Sequence, residues 1–402
     1  MEYKGIPYMR RKLESKRTRV LTRYEYYDGK NKVKYFASLM PENYRWMAGA
    51  LGWCSKAVDN LADRLTFNKF RNDNFNLNDI FAQNNADIFL DSSILSALIG
   101  SCCFEYISSD KDGSPRIRVI DGANATGNID PITGLLTEGY AVLERSDAGT
   151  PLLEAYFTAK STVFFGKGQQ TLAVKNPTGY PLLVPVIYRP DATRPFGHSR
   201  ITRGCMAQMQ GALRTIWRSE VAAEFYSFPQ KYVLGLADDS EFNSQKANMS
   251  TFLSFGKDDE GDKPQVGQFS QQSMAPHIEQ LRSFASLFAG EAGLTMDDMG
   301  FPSDNPSSAD AIKTAHDTLR LTAKKAQRSL GVGLLNTGFV AACLRDKRQY
   351  LRRQIYLTSP SWYPIFEPDS SSMSGLGDAI LKINQAVPGY ISEEIMQDLL
   401  GF

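Results

Sequence analysis

A series of short strand-like segments between two helical regions constrains the fold of this chain most. From about residue 101 to 190, β-branched and aromatic runs are separated by Gly, Asn, Asp and Pro, as in CCFEYISSDKDGSPRIRVIDG. No helical period separates one strand from the next, so a repeating βαβ fold is not expected. The pattern predicts an antiparallel sheet region flanked by helices, and hence the α+β class.

Two helices are predicted before the sheet. Pro41 suits the first turn of one of them. Its apolar residues fall at steps of three and four on one face, namely Tyr44, Met47, Leu51, Cys54, Val58, Leu61 and Leu65. A second, more apolar helix is predicted from about Leu77 to Ile99.

A helix of about seven turns is predicted after the sheet, from near Ser199 to just before Pro229. One face carries a basic stripe of Arg200, Arg203, Arg214 and Arg218. Gly204 and Gly211 lower helix propensity by roughly 1 kcal/mol each, so we expect a neighbouring backbone to approach closely there. A stripe of this kind is also typical of a solvated helix face.

A polar stretch from about 236 to 272 lacks apolar periodicity and is predicted to be an exposed appendage. Its acidic residues are Asp238, Asp239, Glu241, Asp258, Asp259, Glu260 and Asp262. An amphipathic helix is predicted next, from about Met274 to Gly290. Its apolar face consists of Ile278, Leu281, Ala285 and Phe288.

A further long helix is predicted after the sequence SDNPSS, where Ser307 and Asp310 have the spacing of a capping box. Its packing face consists of Ile312, Ala315, Leu319, Ala326 and Leu330, and its basic stripe of Lys313, Arg320, Lys324 and Arg328. Beyond Tyr350, a Pro- and Ser-rich break is predicted to precede a short closing helix, ISEEIMQDLLGF.

Charge is distributed unevenly along the chain. The net charge is only +1, which argues against indiscriminate binding to nucleic acid or anionic membranes, but residues 1–34 hold eleven Lys and Arg against four Asp and Glu. This leader could be a nucleic-acid arm, or its aromatic residues could pack it on the body.

The five cysteines have no CxxC spacing and are expected to be buried thiols of an intracellular protein. No run is apolar enough to predict a membrane span or a signal peptide.

No motif predicts catalysis, metal binding or a cofactor. The histidines, His198, His277 and His316, lack a second ligand at helical spacing. FFGKGQQT is not a phosphate-binding loop, and SDKDGS lacks the closing glutamate of a calcium loop, so both are predicted to be hairpin turns.

The order of several segments resembles the portal proteins of tailed bacteriophages. These segments are TRYEYYDGK, NPTGYPLLVPVIYR, RPFGHSRITRG, FPQKYVLG, MAPHIEQLRSFASLFAGEAGL and NPSSADAIK, and they span about Thr22 to Leu351. The resemblance implies a wing over 1–198, a first stem helix over 199–228, a clip over 229–272 and a second stem helix over 273–292. A tunnel loop over 293–307, a long wing helix over 308–350 and a crown-like region over 351–402 would follow.

The resemblance also implies a function and partners. The chain would form a ring, of dodecameric type, at one capsid vertex, through which a terminase packages double-stranded DNA that later leaves. The DNA-facing residues of the tunnel loop would be Phe301, Pro302, Ser303, Asp304, Asn305 and Pro306. The acidic clip would bind terminase and then head-to-tail connectors, and capsid and scaffolding proteins would surround the ring. The alternatives are another connector ring of the virion, or a cytosolic enzyme whose site is not evident.

Overall fold

The computed structural model describes residues 3–33, 49–166, 171–227, 231–234, 265–268, 273–302, 314–366, 370–392 and 396. These residues belong to two compact units. The first lies within Met1–Asn31, Gly52–Met206 and Gly290–Phe402, and the second within Lys32–Leu51 and Ala207–Ala289.

The basic leader forms a 22-residue helix, α1 (Ile6–Tyr27). Met9 and Leu13 are buried against Tyr140, Val142 and Tyr156 of a sheet. Of the two alternatives for the leader, packing on the body is therefore what the structure shows. This helix was not predicted from the sequence, because its buried apolar positions are few and lie among seven basic residues.

The helices before the sheet are shorter than predicted. α2 spans Trp53–Ala62 rather than starting at Pro41, and Tyr44 and Met47 lie outside the described residues. The predicted second helix is two helices, α3 (Leu77–Ala82) and α4 (Ala86–Gly100). Asn85 separates them with a left-handed φ of 53°, a conformation that Asn adopts more readily than most residues.

The strand region is antiparallel, as predicted, but it forms two sheets. The first has the order β3-β2-β9 and the second the order β4-β5-β6-β7-β8. The strands are β2 (Cys102–Ser109), β3 (Pro115–Asp121), β4 (Ala125–Ile129), β5 (Leu136–Arg145), β6 (Pro151–Thr158), β7 (Ser161–Gly166), β8 (Leu172–Lys175) and β9 (Leu183–Ile187). The SDKDGS segment joins β2 to β3 as a hairpin, closed by the Asp110 N–H and the Ser114 carbonyl at 2.9 Å.

One apolar cluster joins the two sheets. It includes Phe104 of β2, Phe157 of β6 and Leu183 of β9, each with no measurable exposure. All five cysteines are buried free thiols, as predicted.

The long helix α7 (Asp317–Arg345) packs on the first sheet. It begins later than the predicted capping box at Ser307, which lies outside the described residues, and His316 occupies its N-cap position. From Leu330 onwards α7 is buried on almost all sides. A Cβ at Gly333 would lie 2.9 Å from Cα of Val186, so glycine is what allows the helix to approach β9 this closely.

The C-terminal part is more regular than the predicted break. A 3₁₀ turn (Arg352–Ile355) precedes β12 (Ser359–Trp362), which pairs antiparallel with β1 (Phe67–Arg71). A helix, α8 (Ser370–Ala386), begins within the Ser-rich run and was not predicted. Of the predicted closing helix, only Ile391, Ser392 and Met396 are among the described residues.

Two helices and a short ladder account for the described part of the second unit. α5 (Arg203–Ser227) begins in the first unit, and α6 (Ala275–Ala292) ends there. β10 (Lys231–Leu234) pairs antiparallel with β11 (Gln265–Gln268). The α5 and α6 bounds agree with the predicted stem helices to within four residues at each end.

Candidate functional site

The predicted stem helices pack against each other in the second unit. A Cβ at Gly211 of α5 would lie 2.5 Å from the ring of Phe284 of α6, and Thr215 Oγ1 lies 3.0 Å from Gln280 Oε1. Higher numbers on α5 meet lower numbers on α6, so the helices are antiparallel. The predicted approach of a neighbouring backbone at Gly211 is wrong, because the group that lies against this glycine is the aromatic ring of Phe284.

The start of α5 is fixed by polar contacts within the first unit. Thr202 Oγ1 donates to Glu291 Oε1 at 2.7 Å, and a Cβ at Gly204 would meet the same carboxylate. Arg200 Nε donates to the Ala57 carbonyl at 3.1 Å, and Arg200 Nη2 donates to the Ala292 carbonyl. Arg200 is buried and precedes the helix, so its predicted place on the exposed stripe is wrong.

The other three arginines of the stem stripe lie on α5. Arg203 and Arg218 are exposed, and Arg214 is half-buried. Their separations of eleven and four residues are close to whole numbers of helical turns, so they share one face.

The described ends of the predicted clip lie side by side. Lys231 is opposite Gln268, and Leu234 is opposite Gln265. The acidic clip residues, Asp238, Asp239, Glu241, Asp258, Asp259, Glu260 and Asp262, lie outside the described residues. The structure therefore defines where this insertion leaves and rejoins the fold.

The segment after α6 begins with an ordered turn. The Asp298 carboxylate accepts hydrogen bonds from the N–H and the hydroxyl of Thr295, both at 2.9 Å, and lies 3.4 Å from His316 Nε2. Burial raises the pKa of Asp298, but these contacts outweigh it, so its pKa lies below the usual range. Phe301 is half-buried and Pro302 exposed, whereas Ser303, Asp304, Asn305 and Pro306 lie outside the described residues.

The basic stripe of the long helix has members in different environments. Arg320 pairs with Asp317 at 2.6 Å, and Lys313 lies outside the described residues. Lys324 and Arg328 border an open, mainly apolar groove of about 670 Å³ between α7 and β12, which Trp362 also lines. Within this stripe, Arg320 is therefore ion-paired, whereas Lys324 and Arg328 lie at the edge of a groove.

Two buried carboxylates that were not predicted from the sequence hold the N-terminal helix. Glu138 of β5 accepts hydrogen bonds from the Lys4 and Gly5 N–H groups at 3.0 and 3.2 Å, and Glu154 of β6 accepts from Arg10 and from the Tyr140 hydroxyl. The signal for them is the placing of a charged residue inside an otherwise apolar strand, which requires a partner when buried.

Cations of α1 also contact aromatic rings of the body. Lys16 Nζ lies 5.1 Å from the ring centre of Phe104, and Lys12 Nζ lies 5.2 Å from that of Phe196. Burial, with Lys16 nearby, lowers the pKa of Lys12 to about 8. Part of the leader's positive charge is thus used for packing within the chain.

The described part of the chain offers neither a metal-binding cluster nor a membrane-spanning helix. It contains no group of three or more His, Cys, Asp or Glu residues placed to hold a metal ion. No helix in those ranges is long and apolar enough to span a membrane.

Comparison with known proteins shows the family to which this chain belongs. Residues 8–343 match the family of phage portal proteins described as SPP1 Gp6-like, and the chain belongs to this family. It is thus a phage portal protein, as the resemblance implied.

The curated relatives carry the same description. The portal protein of Mycobacterium phage L5 is 25% identical over 333 residues, which cover 77% of this chain and 67% of that protein. The portal protein of Mycobacterium phage D29 is 23% identical over 319 residues, covering 73% of this chain and 65% of that protein. The matches therefore span about two thirds of the length of these relatives.

Similar solved structures come from gene transfer agent particles. A chain from the neck of a native particle, computed with C12 symmetry, is 13% identical, with a TM-score of 0.49 over 95% of this chain and 99% of that chain. A chain from the virion of a native particle is 11% identical, with a TM-score of 0.48 over the same shares.

Proposed function

We propose that this chain forms a dodecameric ring at one capsid vertex and that double-stranded DNA enters and leaves the particle through it. The observation that carries the proposal is the antiparallel pair of α5 and α6, which brackets a polar insertion in a chain of the portal family. α6 exposes the apolar side chains of Ile278 and Leu287. A helix pair with such exposed apolar residues is suited to packing against copies of itself.

The charge of the chain supports passage of DNA rather than tight binding. Each phosphate that a protein neutralises adds a favourable counterion-release term, so a strongly basic channel would retain DNA. The net charge of +1 and the uncharged or acidic residues 301–306 favour sliding contact without sequence reading. We assign these residues to the channel lining, and Arg203, Arg214 and Arg218 to contacts between subunits or the channel wall.

The acidic insertion is the proposed docking site for other proteins. Seven carboxylates between 238 and 262 would attract basic surfaces of terminase during packaging and of head-to-tail connectors afterwards. The ring would assemble in the host cytoplasm with scaffolding and major capsid proteins, and it would act by shape rather than by catalysis.

Native mass measurement of the purified chain tests this proposal. We expect a closed ring of many 44.8 kDa subunits without DNA, and negative-stain images with a central channel. The Arg214→Ala/Arg218→Ala variant should form fewer rings or package less DNA than Lys111→Ala/Lys160→Ala. A chain that stays monomeric at micromolar concentration and is absent from mature particles would contradict the proposal.

A further inference from the structure

Four arginines from two distant parts of the chain lie together on the surface of the first unit. Arg19 and Arg23 are one turn apart on α1, and Arg23 Nη1 donates to the Arg19 carbonyl at 3.4 Å. Arg23 Nε donates to the Ile201 carbonyl at 3.3 Å, which places it beside Arg203 at the start of α5. Arg194 belongs to the loop before α5. The charges of Arg19, Arg194 and Arg203 all lower the pKa of Arg23, after the larger effect of burial, so all three are near it.

We call Arg19, Arg23, Arg194 and Arg203 the arginine cluster. Arg19, Arg194 and Arg203 are exposed and Arg23 is half-buried. Within the described ranges none of the four forms an ion pair with a carboxylate. Four like charges held together without acidic partners repel one another, so the site is arranged to receive an anion.

The nearby carboxylates have other partners. Asp191 lies 2.5 Å from His198 Nε2 and accepts hydrogen bonds from the Thr193 and Arg194 N–H groups at 2.8 and 2.6 Å. These contacts, His198 first, hold the pKa of Asp191 below its usual range, so it stays ionised and bound in its loop. Glu291 accepts from Thr202. The positive charge of the cluster is therefore reduced but not cancelled.

The surroundings favour phosphate over an acidic protein segment as the ligand. Guanidinium groups bind phosphate oxygens in pairs of parallel hydrogen bonds, and the positive end of the α5 dipole lies at Arg203. A protein interface needs an apolar centre. Leu21, an exposed apolar residue of this part of α1, lies two residues from both Arg19 and Arg23 and so on the opposite side of the helix.

We propose that the arginine cluster binds the phosphate backbone of duplex DNA, without reading its sequence. The site combines a stem residue with residues of α1 and of the loop before α5, and lies outside the tunnel loop. The proposal rests on the proposed function only in that it supplies duplex DNA as the ligand. Because the cluster would contact only a few phosphates, binding there is compatible with sliding of the DNA along the channel.

Binding of a labelled 20-base-pair duplex of mixed sequence, measured by anisotropy at several salt concentrations, tests the proposal. The Arg19→Gln/Arg194→Gln/Arg203→Gln variant should bind about tenfold more weakly or worse, and the salt slope should become shallower by up to about three. Arg23 is retained because its hydrogen bond to the Ile201 carbonyl holds α1 to the segment before α5. The matched control is Lys111→Gln/Lys160→Gln/Lys347→Gln, which removes the same charge from exposed positions elsewhere.

The DNA-binding results for the arginine cluster can be distinguished from the ring-formation results that test the proposed function. Equal losses in both triple variants, or no loss in the arginine variant, would overturn the proposal. It would also be overturned if polyglutamate, but not DNA, bound in a cluster-dependent way, because the ligand would then be an acidic protein. Native mass of each variant reports ring formation separately, so a chain that forms no ring would contradict the proposed function while the DNA comparison still stands.

Discussion

At the scale of single residues, buried polar groups explain how the first unit is held together. Glu105 of β2 is fully buried, and its Oε1 accepts a hydrogen bond from Ser93 of α4 at 2.6 Å. Thr337 of the long helix α7 is also fully buried beside it. Burial raises the pKa of Glu105, although the hydrogen bond from Ser93 opposes this. The place of Glu105 inside an apolar strand indicates that it needs a partner, but the sequence does not show which one, because its environment is created by elements far apart in the chain.

Glu105→Gln should make unfolding less dependent on pH. The folded pKa lies above the unfolded value of 4.5, so the folded state binds more protons and loses stability as pH rises from 4.5 towards the raised pKa. For one group this slope is at most about 1.4 kcal/mol per pH unit. Urea unfolding at pH 5 and pH 8 measures this. The free energy of unfolding should decrease less between the two pH values in the variant than in the original chain. Glu144→Gln, at an exposed position, should behave like the original chain. If the free energy of unfolding changed equally with pH in both variants, the role of Glu105 would be contradicted.

A glycine substitution tests how closely α7 approaches the sheet. Alanine at an exposed helical position gains about 1 kcal/mol over glycine. At Gly333 the added Cβ would meet the backbone of Val186 at 2.9 Å, and overpacking of this kind costs about 1–3 kcal/mol. Gly333→Ala should therefore lower the melting temperature by several degrees. Gly290→Ala, whose Cβ would meet nothing within 4 Å, should raise it, and a rise in both would contradict the close approach.

At the scale of elements, the helices and strands that could be predicted are those marked by neighbouring residues in the sequence. α5 and α6 were found from apolar periodicity and from Pro229, and the strands from their turns. α1 was missed because Met9, Leu13 and Val20 are separated by charged residues whose partners lie in the sheet. α3 and α4 were predicted as one helix because the break depends on Asn84, whose side chain bonds to the Ile80 and Pro115 carbonyls. The Asn84-Asn85 pair was the available signal.

Removing the carboxylates that hold α1 should release it from the sheet. Glu138→Ala or Glu154→Ala leaves buried donors unpaired, which costs about 1–3 kcal/mol and makes local opening about tenfold more frequent or more. Limited trypsin digestion should then cleave within α1 correspondingly faster. Glu144→Ala, on the exposed part of the same strand β5, is the control. Equal cleavage rates in all three variants would contradict the proposed hold on α1.

At the scale of the whole molecule, the pattern of strands and helices indicated the α+β fold class, and the order of segments indicated the family. The sequence could not place the arginine cluster, because its four members come together only when α1, the loop before α5 and the start of α5 are folded. Nor could it place Arg200, since helical spacing alone assigns it to a stripe from which the end of the helix excludes it. The assignment of the tunnel-loop and acidic clip residues stays a prediction.

Deletion of residues 240–262 should remove partner binding without removing the ring. Leu234 and Gln265 are paired neighbours, so the remaining residues 235–239 and 263–264 are enough to connect the two strands. We expect native mass to show an unchanged ring and pull-down with a connector protein to show no binding. Retained binding would contradict the docking role, and loss of the ring would mean that the insertion contributes to assembly.

The pairing of β10 with β11 also has an evolutionary consequence. Because the two ends of the insertion leave the body next to each other, recombination that exchanged the segment between them would leave the helix pair and the sheets intact. With the docking role that we propose for this insertion, phages that share this body could acquire different tails by replacing one short stretch of gene.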